Sequence, residues 1–101
     1  MTSQLTAPEL QAALARKEAP VVIDVREPAK YSHRHIPGAE HMPLSDLVNS
    51  IKRRHPNRDE EVVVYSDHGI LSQYAATLLR SIGYRNVTDL AGGIIGFGEA
   101  A

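Results

Sequence analysis

At 101 residues the chain has room for one domain, 1–101, built around a hydrophobic core. Its charge is balanced, 11 Lys and Arg against 12 Asp and Glu, which removes the usual signature of a nucleic-acid or acidic-surface binder. It contains no cysteine, so disulfides, persulfides and thiolate–metal sites are excluded. No leader pattern opens the sequence and no apolar run approaches membrane-spanning length, so we expect a cytoplasmic protein without a membrane partner.

In chain order, Leu5 is expected in a short first strand. Thr6-Ala7-Pro8-Glu9 has the capping-box pattern with proline in the first turn, which predicts a helix to about Arg16 with Leu10 and Leu14 on its apolar face. Ala19-Pro20 breaks that pattern. Val21 to Val25 then reads as a buried parallel strand, followed by a short helical turn around Ala29 to Tyr31. Ser32 to Ala39 is expected as a loop, because Pro37-Gly38 is a turn dipeptide, with a brief edge strand over Glu40 to Met42. Pro43-Leu44-Ser45-Asp46 opens a helix with Leu44, Leu47, Val48 and Ile51 at helical spacing. Lys52-Arg53-Arg54 complement its dipole, and His55-Pro56-Asn57 ends it.

Val62-Val63-Val64-Tyr65 is a β-branched and aromatic run that reads as a strand buried on both faces. From Leu71 the apolar period changes, and Leu71, Ala75, Leu78, Leu79 and Ile82 fall on one helical stripe, with Gly83 at the C-cap. Asn86 to Leu90 reads as the last strand, and Ile94 to Ala101 as a final short helix weakened by Gly96 and Gly98. Alternating strands and helices predict an α/β fold, a mostly parallel sheet with helices on both faces.

The loop Ser66-Asp67-His68-Gly69-Ile70-Leu71-Ser72 joins the central strand to its helix. In an open α/β sheet this position is the expected place for chemistry, and the helix N–H groups there favour an anion. The strand–loop–helix resembles the active-site segment of rhodanese-like domains, where a C-x-x-G-x-R-S loop follows a VVVY-type strand. Gly83 to Ile94, GYRNVTDLAGGI, continues the resemblance. So does IDVREPAKYSHRHIPGA, Ile23 to Ala39, which is similar to the family's L-D-V-R-E-x-x-E-Y-x-x-G-H-I-P-G-A signature. Asp24, Arg26, Glu27, Tyr31 and His35 to Ala39 match it, and Arg34 stands at its glycine. The resemblance implies a five-stranded sheet flanked by helices, as in cell-cycle dual-specificity phosphatases. It also implies a sulfurtransferase activity whose nucleophilic cysteine falls at Ser66 and whose loop arginine falls at Leu71.

Both chemical residues are therefore replaced. A rhodanese thiolate attacks a sulfane sulfur and holds it as a persulfide; a serine hydroxyl is not ionised near neutral pH and has no sulfur chemistry. The expected function is a catalytically inactive binding or regulatory module with an unknown protein partner. The alternative is a thiosulfate or persulfide sulfurtransferase, with a sulfur acceptor as partner, whose catalytic cysteine has been replaced by Ser66. A serine hydrolase is disfavoured because no glycines flank Ser66, and a phosphatase because it needs the same thiolate and arginine.

Within the loop, Asp67 is expected to repel anions, so that the loop binds small anions only weakly, and His68 is read as an exposed loop histidine. Asp24 and Arg26 are expected to pair and fix the loop geometry, and Glu27 and Tyr31 to cap and pack the short turn. His33, His35 and His41 have a suggestive spacing, but no carboxylate or cysteine is placed to complete a metal site, and neither metal nor cofactor is expected.

Overall fold

The computed structural model describes residues 4–98. Five strands, β1 (Gln4–Leu5), β2 (Val21–Asp24), β3 (Glu40–His41), β4 (Val62–Tyr65) and β5 (Val87–Leu90), form one sheet in the order β1-β5-β4-β2-β3. Every pairing is parallel. The helices are α1 (Ala7–Leu14), α2 (Pro28–His33), α3 (Leu47–Arg54), α4 (Ile70–Ser81) and α5 (Gly93–Phe97).

The sheet is covered on both faces, and the period of two along β4 sorts the core between them. Val62 and Val64 join Ile23 and Val87 under α3 and α4, with Leu47, Ile51, Ala75, Ala76 and Leu79. Val63 and Tyr65 join Val22 and Leu90 under α1 and α5, with Leu10, Ile94 and Phe97. All four β4 side chains are fully buried, as the apolar run requires.

The local signals act as elementary chemistry dictates. Thr6 Oγ1 accepts the Glu9 N–H at 3.3 Å, while the Glu9 carboxylate accepts the Thr6 N–H at 2.8 Å. That backbone hydrogen bond, with the Thr6 side chain, holds the Glu9 carboxyl below its ordinary range. At the far end of α4, Gly83 N–H donates to Arg80 O at 3.0 Å and Tyr84 N–H to Leu79 O at 3.0 Å, the Schellman closure.

Several boundaries differ from the sequence reading. α1 stops at Leu14, because the Ala15 N–H turns back to Ala12 O and Ala13 O. α2 runs on to His33, with Pro28 starting it, so the following loop begins only at Arg34. The segment Leu44–Asp46 is a separate 3₁₀ turn ahead of α3. Residues 99–101 of the expected last helix lie outside the described residues.

The largest correction concerns α4. Its buried side chains are Ser72, Ala75, Ala76 and Leu79; Leu78 and Ile82 only flank the core, and Leu71 is 39% exposed. Small residues make up most of the inner stripe, and Leu71 stays outside the core.

Candidate active site

The register of the central strands builds the site. Asp24 lies beside Tyr65 at the carboxyl ends of β2 and β4, and the Val25 N–H donates to Tyr65 O at 3.2 Å. The residues that follow, Arg26 and Ser66, therefore emerge side by side at the edge where open parallel sheets place their ligands.

Ser66 is buried, 3% exposed, with its hydroxyl inside the turn. Its Oγ accepts the Gly69 N–H at 3.2 Å and the Ser72 N–H at 3.1 Å, and Ser72 Oγ donates to Gly69 O at 3.2 Å. Gly69 makes the turn with φ +99, a left-handed conformation that side chains avoid. Two amides thus converge on one oxygen at the head of α4, an arrangement that stabilises negative charge on whatever atom sits there.

α5 holds this loop from behind. The Ile94 N–H donates to Ser66 O at 2.9 Å and the Ile95 N–H to Asp67 O at 3.2 Å. Such an approach requires no side chain at Gly93, where a Cβ would lie 2.3 Å from Asp67 O and 2.6 Å from Ser66 O. In the sequence Gly92-Gly93 marks only the break between the last strand and the final helix. Its position as the support of the loop is visible only once β4 and β5 are paired.

Asp24 and Arg26 form a buried ion pair. Asp24 Oδ1 accepts the Arg26 backbone N–H at 2.9 Å and its Nε at 3.0 Å, and Oδ2 accepts Nη2 at 2.7 Å. Arg26 Nη2 also donates to Arg34 O at 2.6 Å, and its guanidinium lies 5.6 Å from the Tyr65 ring centre. Burial alone would lower the Arg26 pKa, but its hydrogen bonds to Asp24 and Asp67 outweigh that and raise it. Tyr65 is pushed upward by burial, and its hydroxyl oxygen accepts the Ile36 N–H at 3.1 Å.

Asp67 does not stand in the loop as a free repelling charge. Its Oδ1 accepts Arg26 Nη1 at 3.1 Å and its Oδ2 accepts Lys30 Nζ. Two cations reach the loop from the α2 side, and both are engaged by Asp67. Lys30 is the residue that sequence reasoning missed, since nothing local ties it to a loop 37 positions away. Burial would raise the Asp67 carboxyl, but hydrogen bonds from Lys30 and Arg26 hold it below the ordinary carboxylate range.

A cleft of about 700 Å³ opens over Ser66, with Val25, Pro28, Pro43, Leu44, Ile70 and Leu71 as apolar walls. Arg26, Lys30, Asp67 and His68 also line it, and His68 is exposed. The exposed apolar side chains Ile70, Leu71 and Tyr74 continue this surface along the first turns of α4.

The histidines take other places. His35 and His41 stack on Tyr31 at 3.9 and 4.7 Å between ring centres. His35 Nδ1 donates to Tyr31 O and His41 Nε2 to Arg26 O, each at 2.8 Å, and the Tyr31 hydroxyl donates to Ala39 O at 2.7 Å. Among the described residues no group of three or more His, Cys, Asp or Glu is gathered as a metal would need. Glu27 stands at the N-cap of α2, but its side chain makes no capping hydrogen bond, contrary to the sequence reading.

A parallel α/β domain with an amide-lined turn between its central strand and helix is one class of fold and site. The rhodanese-like domain family matches residues 6–100, and the chain belongs to that family. It is 37% identical over 86 residues to the thiosulfate sulfurtransferase GlpE of Pseudomonas fluorescens, covering 85% of this chain and 77% of that protein. The thiosulfate sulfurtransferase PspE of Escherichia coli is 36% identical, covering 69% of this chain and 67% of its own length. The solution structure of a rhodanese-like domain from Anabaena superimposes with a TM-score of 0.86 at 32% identity, covering 96% of this chain and 74% of that one. A crystal structure of a thiosulfate sulfurtransferase from Pseudomonas aeruginosa gives 0.86 at 35% identity, covering 94% of this chain but only 18% of the longer one. Among the described residues no helix is long and apolar enough to cross a membrane.

Proposed function

We propose that this rhodanese-like domain is catalytically silent as it stands and acts as a binding or regulatory module, receiving a protein partner at the cleft over Ser66. The carrying observation is Ser66 itself: the atom at the focus of the loop amides is a serine oxygen, in a chain without cysteine. Those amides need a thiolate to activate for sulfur transfer, and a hydroxyl cannot form or hold a persulfide. The apolar cleft walls and the exposed Ile70, Leu71 and Tyr74 give the site the character of a binding surface.

Affinity recovery from source cells tests this. The wild-type chain and Ser66→Ala are expected to retain the same partner, and Leu71→Arg/Tyr74→Glu to lose it. Recovery unchanged by the double substitution, or abolished by Ser66→Ala, overturns the reading.

A second reading has one observation in its favour. The amide pair around Ser66 Oγ is complete, so the loop geometry would also suit a sulfur atom at that position. On this reading the domain is a sulfurtransferase whose cysteine has been replaced, and its partner is a sulfur acceptor.

A further inference from the structure

Lys30 and Arg26 present two cations to the cleft, and a single carboxylate spans them. Asp67 Oδ1 meets Arg26 Nη1 at 3.1 Å and Oδ2 meets Lys30 Nζ, so both oxygens of the group are used. Asp24 saturates the other edge of the Arg26 guanidinium, which leaves only the Asp67-facing edge to address the cleft. The Asp67 side chain is 26% exposed and that of Lys30 is 50% exposed, so the junction sits at the cleft mouth, within reach of solutes. Two oxygens bridging a guanidinium N–H and an ammonium is the geometry of a small oxyanion bound between those groups.

We propose that Asp67 is a tethered occupant of an oxyanion seat: its carboxylate fills the place between Lys30 and Arg26 that a free phosphate or thiosulfate would take, and so selects against small anions in this cleft. This rests on the reading of the cleft as the protein's binding site, and it names what that site refuses. An anion from solution must displace a carboxylate that never diffuses away. Its apparent affinity is therefore reduced by the fraction of molecules in which Asp67 has swung clear. With Asp67 seated, the cations carry no uncompensated charge, and the cleft offers an entering ligand apolar walls instead. The Glu27 carboxylate also lines the cleft, and its negative charge adds to the exclusion of anions.

The test titrates the full chain with inorganic phosphate and, separately, thiosulfate by isothermal calorimetry. The comparison covers the wild type, Asp67→Asn and Asp67→Asn/Lys30→Met. Neutralising the occupant is expected to tighten binding of both anions by about tenfold or more, and removing Lys30 as well to return it to the wild-type level. Asp67→Asn binding no tighter than wild type overturns the proposal, as does a gain that survives Lys30→Met.

Should Asp67→Asn fail to fold, the native chain decides. Its Asp67 carboxyl carbon, followed by carbon-detected NMR as phosphate or thiosulfate is added, is expected to shift as the anion displaces it, and anion binding that leaves that signal unmoved overturns the proposal. Loss of the partner-recovery result would leave these anion titrations unmoved, so the two readings fail separately.

Discussion

Gly93→Ala is expected to destabilise the domain by about 2–5 kcal/mol, the sum of a left-handed backbone cost and an overpacking cost. The residue has φ +64, and the added Cβ would lie 2.3 Å from the Asp67 carbonyl oxygen and 2.4 Å from its carbon. Both are backbone atoms, so relief requires moving the loop or α5. Moving either breaks the hydrogen bonds from Ile94 and Ile95 that fix Ser66 and Asp67. Against a total stability of about 5–15 kcal/mol, a loss of this size is a large share of the folded state's margin. Urea denaturation measures it directly. A change below about 1 kcal/mol, the ordinary scale for a point mutation, would show that α5 is free to back away from the loop.

Arg26→Met is the second large effect. It leaves the Asp24 carboxylate, fully buried, without the guanidinium that takes both its oxygens. Breaking a buried pair from one side costs about 3–5 kcal/mol, because an uncompensated charge stays in the interior. The pair as a whole adds much less than that, so Asp24→Asn/Arg26→Met is expected to recover part of the loss. Denaturation of the two single variants and the double variant closes the cycle. Independent, additive effects would contradict the account. The Arg26 substitution also removes the donor to Arg34 O and one of the two cations on Asp67, so the loop and the segment after α2 are expected to loosen together.

The parts legible in the sequence share one property: their physics is local. The Thr6–Glu9 box, the apolar run at Val62–Tyr65 and the glycine after α4 each specify structure through neighbours a few positions away. Leu71 shows where that logic stops. Helical spacing identifies a stripe, but close packing through Ser72 and Ala76 decides which residues of that stripe face the sheet. Gly93 and Lys30 were beyond sequence reasoning for a different reason. One is required by a backbone contact between β4's loop and α5, the other by an ion pair between α2 and that loop. Neither leaves a local pattern. Asp67 is the instructive case, because its charge was read directly from the sequence while its two partners, Arg26 and Lys30, were not.

On the function proposed above, the loop keeps its amide turn around Ser66 Oγ and is set up for binding instead of sulfur transfer. Ser66→Cys tests it most directly. The folded variant, incubated with thiosulfate and weighed as an intact chain, is expected to keep its unmodified mass, because Asp67 holds the oxyanion seat and Leu71 offers no cation. A mass gain of one sulfur atom, removed by cyanide as thiocyanate, would contradict the account and favour a sulfurtransferase that has lost only its nucleophile.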